Sequence, residues 1–261
     1  MSTNASPRSP MSSTPGGRTD DRTSRRAGSR PAYLRVVPQA EPIELVPERH
    51  ATARRILDAA VALLGILLTL PLWIALAILI KLTSRGPVFH TQTRVGQDTR
   101  RTGAGQDDPR RKHDLGGKPF TIYKFRTMHT EAEHRSGAVW ATRNDPRVTT
   151  VGRYLRRYRL DELPQLINVL KGQMSVVGPR PERPTIFAEL RESIPHYNLR
   201  QRARPGITGL AQVRQQYDTC IEDVQRKVEF DLEYIRRQSV WQDLKIMLET
   251  IPVVLLRKGG W

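Results

Sequence analysis

An uninterrupted apolar run, Ala59–Ile80, constrains the fold of this 261-residue chain more than any other feature. Apart from Trp73, Thr69 is its only residue whose side chain can hydrogen bond. About 20 apolar residues are enough to cross the hydrocarbon core of a bilayer as a helix. The alternative is a soluble helix buried on all sides, which is uncommon at this length. We therefore predict a membrane helix.

A proline, Pro71, lies near the middle of this run. Inside a helix, proline removes one backbone hydrogen bond and clashes with the preceding turn, which costs about 3 kcal/mol. Arg54 and Arg55 precede the run, and Lys81 and Arg85 follow it. Cationic flanks favour the cytoplasmic side of a membrane, so a helix that enters, bends at the proline and returns satisfies both flanks. An ordinary kinked span satisfies only one flank, and on the residues alone both topologies stay open.

The whole chain is strongly basic, with 43 Lys and Arg residues against 26 Asp and Glu residues. This excess implies anionic partners, and nucleic acid, acidic lipid and nucleotide-type substrates all qualify. Residues 1–31 contain no Leu, Ile, Val or aromatic residue, so we expect no secretory signal there. We predict a disordered basic tail over residues 1–50, a membrane segment over 51–85 and a cytoplasmic domain over 86–261. Within that domain, residues 97–117 form a polar insertion between two strand-like runs.

The spacing of apolar residues predicts a mostly helical domain with a small sheet. Helical periodicity marks four segments, which are Val151–Tyr158, Leu163–Leu170, Glu222–Arg237 and Trp241–Leu256. Strand-like composition marks three further segments, which are Val88–Val95, Phe120–Arg126 and Met174–Val177. In the first of the helices, the residues expected on the remaining surface are Arg153, Arg156 and Arg157. The predicted fold class is therefore α+β.

Two adjacent carboxylates, Asp161 and Glu162, precede the helix predicted over Leu163–Leu170. The simplest interpretation is capping, because Asp161 is a plausible N-cap and acidic residues there gain about 0.3–1 kcal/mol from the helix dipole. Six arginines within Arg143–Arg159, together with Arg180 on a Pro-flanked turn, favour a second interpretation. Guanidinium groups bind phosphate through paired hydrogen bonds, and an ionised aspartate is a competent nucleophile towards phosphorus. The neighbouring glutamate could hold Mg²⁺, which accepts one or two carboxylates plus phosphate oxygens.

Several ordered motifs resemble those of one family. They are Lys124–Met128 (KFRTM), Asp145–Thr149 (DPRVT), Leu160–Pro181 (LDELPQLINVLKGQMSVVGPRP) and Arg204–Val213 (RPGITGLAQV). From about Arg54 to about Thr250, the chain resembles the bacterial sugar transferases. These monotopic phosphoglycosyl transferases start glycan assembly on polyprenyl phosphate.

The resemblance implies a two-step reaction. Asp161 would attack the β-phosphate of a UDP-sugar, release UMP and hold the phosphosugar until undecaprenyl phosphate takes it. Glu162 would complete an acidic dyad with Asp161, and this dyad would bind Mg²⁺. Arg180 matches a phosphate contact of the family, and we add three further phosphate-binding candidates, namely Arg126, Arg147 and Arg204. Lys124 stays open between a structural role and a substrate contact.

The resemblance also bears on topology and location. Pro71 matches the proline that breaks the family's re-entrant membrane helix, although the family usually has Ser where this chain has Leu70. We expect a mostly helical catalytic domain with a small sheet, seated at the cytoplasmic face of the bacterial inner membrane. Anionic lipid is an expected partner, and a homo-oligomer is compatible with the sequence. The four extra N-terminal membrane helices of larger relatives are not expected, and the motifs leave open both the sugar and the resulting exopolysaccharide, capsule, O-antigen or glycoprotein glycan.

Two other classes of protein compete with this interpretation. One is a membrane-tethered nucleic-acid-binding protein, which the net charge of +17 would suit. Aromatic residues make up only 6% of the chain and are not interleaved with the basic ones as stacking platforms, so we expect no nucleic-acid partner. The other is a scaffolding anchor for glycan enzymes, which Asp161→Asn would leave intact. The histidines at His129 and His134 do not have a usual metal-ligand spacing, and a solvated surface is the preferred interpretation.

Overall fold

The computed structural model describes residues 50–99, 116–130, 145–215 and 221–256, apart from the side chain of Ile221. The predicted tail, except for His50, lies outside these ranges, and so do residues 100–115 of the predicted insertion. The α-helices are α1 (Ala51–Thr83), α2 (Thr150–Arg157), α3 (Gln165–Leu170), α4 (Pro184–Ser193), α5 (Leu210–Arg214), α6 (Ile221–Arg236) and α7 (Val240–Leu255). The strands are β1 (Phe89–Val95), β2 (Pro119–Phe125), β3 (Ser175–Val177) and β4 (Gly206–Thr208), and two 3₁₀ segments cover Leu160–Glu162 and Tyr197–Arg202.

The prediction of a mostly helical α+β fold is confirmed. The small sheet consists of two separate pairs, an antiparallel hairpin of β1 and β2 and a parallel pair of β3 and β4. Each predicted helix and strand is present within two residues of its predicted ends. The sequence patterns missed four further elements, which are α4, α5, β4 and the 3₁₀ segment Tyr197–Arg202.

Helix α1 contains the apolar run and is long and apolar enough to cross a membrane. Its buried residues recur at helical spacing along one side, namely Arg54, Asp58, Ala62, Trp73, Leu76 and Ile80. Most of its large aliphatic side chains face away from the protein, and Leu64, Leu68 and Leu82 are among the exposed ones. This helix therefore has one face packed on the domain and one apolar face that the described protein does not cover.

Helix α1 is continuous through Pro71, so the predicted break stays a prediction. The hydroxyl of Thr69 donates to the carbonyl of Gly65 at 2.6 Å. Because proline has no N–H, Pro71 deprives the carbonyl of Leu67 of its usual partner four residues later. The proline therefore frees the carbonyl of Leu67. The Thr69 hydroxyl does not bind that carbonyl but the one of Gly65, two residues earlier.

Both ends of α1 bind the same domain. Near its start, the Arg54 guanidinium lies 2.7 Å from the Asp243 carboxylate, and the Asp58 carboxylate accepts the Val176 N–H at 2.8 Å. At its end, Arg126 donates to the carbonyl of Ser84 at 2.7 Å. Charged and hydrogen-bonded groups thus fix α1 at two points on either side of its apolar middle.

The hairpin of β1 and β2 carries the predicted insertion at its tip. Phe89 pairs with Phe125 at the open end, and Val95 pairs with Pro119 at the tip end. Beyond the last pair, the Gly96 N–H donates to the Lys118 carbonyl at 3.0 Å. The segment that contains residues 100–115 therefore connects two adjacent strand ends.

Asn168 joins α3 to the hairpin through its fully buried side-chain amide. The Nδ2 group donates to the Thr121 carbonyl at 2.7 Å and to the Gln173 side chain at 2.8 Å, while Oδ1 accepts the Tyr123 N–H at 3.1 Å. On the edge of β2 that does not pair with β1, this amide makes the hydrogen bonds that the backbone of a neighbouring strand would otherwise make. It thereby sets the position of α3 and of the turn that precedes it.

Candidate active site

The two adjacent carboxylates lie on the 3₁₀ turn Leu160–Glu162, between α2 and α3. Arg159, directly before the turn, has a left-handed backbone with φ of 54°. The prediction that Asp161 caps a helix is wrong, because α3 begins at Gln165 and no side chain caps it. Leu163 and Pro164 already have helical dihedral angles, so the chain continues from the 3₁₀ turn into α3 without a capping position.

Glu162 is buried and surrounded by cations. Its Oε1 atom accepts from Arg180 at 2.7 Å and from Lys124 at 3.0 Å, and the Arg159 guanidinium lies 3.9 Å away. Burial alone would raise the pKa of this carboxyl, but the three cations outweigh it and hold the pKa well below its ordinary value. Glu162 is therefore ionised throughout the physiological range.

Asp161 is almost as buried as Glu162, with 8% of its surface exposed, but its surroundings differ. Burial raises the pKa of Asp161; the charge of Lys124 opposes this rise, and the negative charge of Glu162 adds to it. Within the described ranges, no side chain donates a hydrogen bond to its carboxylate. The result is an aspartate more basic than usual, with its oxygen lone pairs not engaged by the described protein.

A further arginine, Arg156 on α2, faces this site. Its Nε donates to the Thr127 hydroxyl at 2.9 Å. Burial lowers the pKa of Arg156, and the charges of Asp161 and Asp145 oppose that change. Arg156 lies on the surface that the apolar residues of α2 leave, as expected, and this part of the helix faces the site. Close packing of Gly152 on the Thr127 carbonyl brings α2 near enough for the contact.

The arginines predicted to bind phosphate occupy four different settings. Arg180 contacts Glu162 directly, as described above. Arg147 pairs with Asp145, with its two nearest contacts at 2.6 and 2.9 Å, and this hydrogen bonding lowers the pKa of Asp145 to about 2. Arg126 caps the C-terminal end of α1, and Arg204 precedes β4 with its carbonyl against Gly178. The structure thus brings Arg180 to Glu162 and joins Arg126 to the end of α1, and phosphate binding by all four stays a prediction.

Two site residues were left open or missed by sequence reasoning. Lys124 lies on β2 and reaches Glu162, which places it in the site without deciding whether it meets a substrate. Gln165 is 2% exposed, and its Nε2 atom is buried without a hydrogen-bond partner. A signal for Gln165 was present, because it lies four residues after Asp161 in a continuously helical stretch and so shares its face.

The donors available to a metal ion are few. Among the described residues, no cluster of three or more His, Cys, Asp and Glu side chains could hold one. Mg²⁺ commonly uses only one or two carboxylates and takes its remaining ligands from water and substrate phosphates. Asp161 and Glu162 fit that pattern, although the cations around Glu162 already share its charge.

Comparison with known proteins assigns the chain to a class. The family model described as "Bacterial sugar transferase" matches residues 49–257. The chain belongs to the bacterial sugar transferase family.

Three named relatives illustrate the match. The UDP-glucose:undecaprenyl-phosphate glucose-1-phosphate transferase of Escherichia coli (strain K12) is 45% identical over 211 residues, covering 80% of this chain and 41% of that protein. The UDP-N-acetylgalactosamine-undecaprenyl-phosphate N-acetylgalactosaminephosphotransferase of Aeromonas hydrophila is 42% identical, covering 81% and 45%. The UDP-glucose:undecaprenyl-phosphate glucose-1-phosphate transferase of Caulobacter vibrioides is 43% identical, covering 80% and 72%. The chain therefore spans less than half the length of the first two relatives.

Proposed function

We propose that this protein transfers a hexose-1-phosphate from a UDP-sugar to undecaprenyl phosphate, through a covalent intermediate on Asp161. The observation that carries the proposal is the pairing of a basic, unengaged aspartate with a glutamate that gathers three cations. Membership of the bacterial sugar transferase family and the names of the relatives support the same substrates. The relatives are named for glucose and for N-acetylgalactosamine, so either UDP-sugar is a first candidate donor.

In the first step, an Asp161 oxygen attacks the β-phosphorus of the UDP-sugar. A bond forms between that oxygen and phosphorus, the bond from the β-phosphorus to the bridging oxygen breaks, and UMP leaves with the electron pair. In the second step, a phosphate oxygen of undecaprenyl phosphate attacks the same phosphorus. The acyl-phosphate bond then breaks, the Asp161 carboxylate is regenerated, and the sugar is left on a lipid diphosphate.

The cations around the turn would stabilise the charge that develops on phosphorus. Arg180 and Lys124 are held together by Glu162, so their positions are set before any substrate arrives. Arg156 would approach the same phosphate from α2. Mg²⁺, held by Asp161 and Glu162 together with diphosphate oxygens, would neutralise part of the substrate charge.

The fixation of both α1 ends supports a re-entrant membrane topology. A domain on one side of the bilayer can contact both ends of a helix only when both ends are on that side. Arg54 and Arg126 make these contacts on either side of the apolar run, and both flanks are cationic. We place the domain on the cytoplasmic face of the bacterial inner membrane, where the net charge of +17 would attract anionic lipid. Pro71 would mark the point at which the helix turns back.

Intact-mass measurement tests the covalent step. Purified protein in a lipid nanodisc is given Mg²⁺ and either UDP-glucose or UDP-N-acetylgalactosamine, without acceptor. We expect one sugar-phosphate to be added to the protein, peptide mapping to place it on Asp161, and UMP to appear in equal amount. Addition of undecaprenyl phosphate should remove the modification. A wild-type protein that transfers sugar-phosphate without ever carrying it, or an active Asp161→Asn variant, would refute the mechanism.

A further inference from the structure

Among the described residues, two buried arginine–aspartate pairs have the same kinds of hydrogen-bond partners. In each, a tyrosine hydroxyl accepts a further hydrogen bond from the arginine. The first comprises Arg54, Asp243 and Tyr234, with Arg54 donating to the Tyr234 oxygen at 2.6 Å. The second comprises Arg200, Asp231 and Tyr197, with Arg200 donating to the Tyr197 oxygen at 2.8 Å.

The guanidinium of Arg200 has its hydrogen-bond partners and its counter-charge within the protein itself, without a substrate. The Arg200 Nε and NH2 groups lie 2.9 and 2.7 Å from the same Asp231 oxygen. Its NH1 group donates to the Tyr197 hydroxyl at 2.8 Å, and its guanidinium carbon lies 4.9 Å from the centre of the Tyr197 ring. The arginine is 5% exposed. Arg200 is therefore held rigidly by two elements, α6 and the 3₁₀ segment Tyr197–Arg202, and its charge is already balanced.

One donor of this fixed guanidinium is turned towards the loop that carries Arg180. The Arg200 NH2 group donates to the Arg180 carbonyl at 3.3 Å, and its NH1 group lies 3.8 Å from the Glu182 carboxylate. Pro179 and Pro181 flank Arg180 and restrict the backbone on either side. The Arg180 carbonyl is thus a point at which a rigid neighbour can set the orientation of the loop.

The rest of the loop is tethered at its edges. The Pro179 carbonyl accepts from the Gly206 N–H, and the Glu182 carbonyl accepts from the Val95 N–H, each at 2.9 Å. Arg94 donates to the Pro181 carbonyl at 2.9 Å. These contacts are made to the neighbours of Arg180. Of the contacts named for this loop, only the hydrogen bond from Arg200 is made to the backbone of Arg180 itself.

We propose that Arg200, fixed by Asp231, is a positioning residue that holds the Arg180 backbone so that the Arg180 guanidinium lies against Glu162. Arg180 has a long side chain that is 35% exposed, so its placement depends on where its backbone is held. A misplacement of about 1 Å in a catalytic group can cost about a hundredfold in rate. The effect on transfer rests on the proposed function, whereas the effect on the loop does not.

Hydrogen exchange of the loop tests the positional part without any activity. Arg200→Lys keeps the charge but loses the planar fork, and Arg54→Lys makes the same change in the matched pair. Exchange is measured by mass spectrometry on the full chain in nanodiscs, for peptides that cover residues 178–183. We expect faster exchange there in Arg200→Lys than in wild type or Arg54→Lys, and a similar acceleration in Asp231→Asn. Unchanged exchange in both Arg200→Lys and Asp231→Asn would overturn the proposal.

Steady-state transfer tests the functional part. We expect Arg200→Lys to lower kcat/KM about tenfold or more per folded molecule. In an Arg180→Lys background, the same substitution should have a much smaller effect, because the residue through which it acts is already altered. Equal effects per folded molecule in both backgrounds would show that Arg200 does not act through Arg180, and would overturn the functional part of the proposal. If the wild type released no UMP, the proposed function would fail, and the exchange measurement would still decide whether Arg200 holds the loop.

Discussion

Asp161 and Glu162 are neighbours in the chain, yet their carboxylates are in opposite electrostatic settings. Glu162 accepts hydrogen bonds from Lys124 and Arg180, whereas no described side chain donates to Asp161. One carboxylate is stabilised as an anion, and the other is made more basic by burial and by its ionised neighbour. Two carboxylates with separated pKa values commonly divide the work of a site. In the proposed mechanism, Glu162 organises the cations, and Asp161 supplies the oxygen that attacks phosphorus.

The raised pKa of Asp161 predicts an acid limit to activity. As the pH falls, Asp161 should be protonated earlier than an ordinary aspartate, whose pKa is about 3.9, and a protonated carboxyl does not attack phosphorus. The negative charge of Glu162 contributes to that rise, so Glu162→Gln should move the acid limb of its residual activity to lower pH. The check is kcat/KM for UMP release as a function of pH in both proteins. An acid limb that moves to higher pH in Glu162→Gln would contradict this account.

Asp161→Asn should abolish transfer without lowering stability. A carboxyl whose pKa is raised by folding contributes stability below its unfolded pKa, and this contribution is lost as the pH rises through the folded pKa. At neutral pH the ionised Asp161 therefore costs stability, and the neutral amide removes that cost. We expect a melting temperature equal to or above that of the wild type, with UMP release reduced to background. A clearly lower melting temperature would mean that Asp161 has a structural partner.

Glu162→Gln should lower both stability and activity. Folding depresses the pKa of Glu162, so its contribution to stability is present above the unfolded pKa and is lost as the pH falls through the folded pKa. The amide would leave Lys124 and Arg180 without their shared counter-charge, at a cost of about 1–3 kcal/mol. Thermal melts at neutral pH, compared with Glu233→Gln on the exposed face of α6, would measure it. Equal melting temperatures for the two variants would show that the Glu162 contacts contribute little.

The topology of α1 can be tested by labelling. Single cysteines placed near Arg54 and near Arg85, in a Cys220→Ser background, should react with an impermeant reagent from the same side of sealed vesicles. Both ends of α1 contact one domain, and this is the physical reason to expect that result. Pro71→Ala should favour a straight helix and move one site to the other side in part of the population. Labelling of the two wild-type ends from opposite sides would exclude the re-entrant proposal.

Local patterns predicted several helices and strands because each has a periodic apolar face. The strand runs that became β1 and β2 and the helices α2, α3, α6 and α7 all pack one such face on the core. Short elements such as β4 and the 3₁₀ segment Tyr197–Arg202 have too few residues to show a period. Their formation depends on partners distant in sequence, such as Ser175 for Gly206 and Asp231 for Arg200.

The site was only partly predictable for a related reason. Motif resemblance identified Asp161, Glu162 and Arg180, and the structure brings the last two into contact. The prediction of a capping role for Asp161 failed because Arg159 has a left-handed backbone that starts a 3₁₀ turn, which apolar spacing does not indicate. The end-capping contact of Arg126 on α1 depends on a residue 42 positions earlier, so no local pattern could indicate it.

Asn168 should contribute strongly to the stability of the fold, although it does not contact the two carboxylates. Its buried amide makes three hydrogen bonds, two of them to the backbone of β2. Asn168→Leu would remove all three hydrogen bonds, which are part-buried, at a cost of about 0.5–1.5 kcal/mol for each. We expect the melting temperature to fall by about 5–15 °C, since 1 kcal/mol corresponds to about 2–4 °C at this chain length.

Asn198→Leu is the matched control, because Asn198 is exposed and its replacement should change stability by less than about 0.5 kcal/mol. Transfer by Asn168→Leu should be lost at lower temperature than in the control, in step with unfolding, because Asn168 holds the helix that follows the Asp161–Glu162 turn. If Asn168→Leu and Asn198→Leu had the same melting temperature, the Asn168 amide would not be the link between α3 and the hairpin.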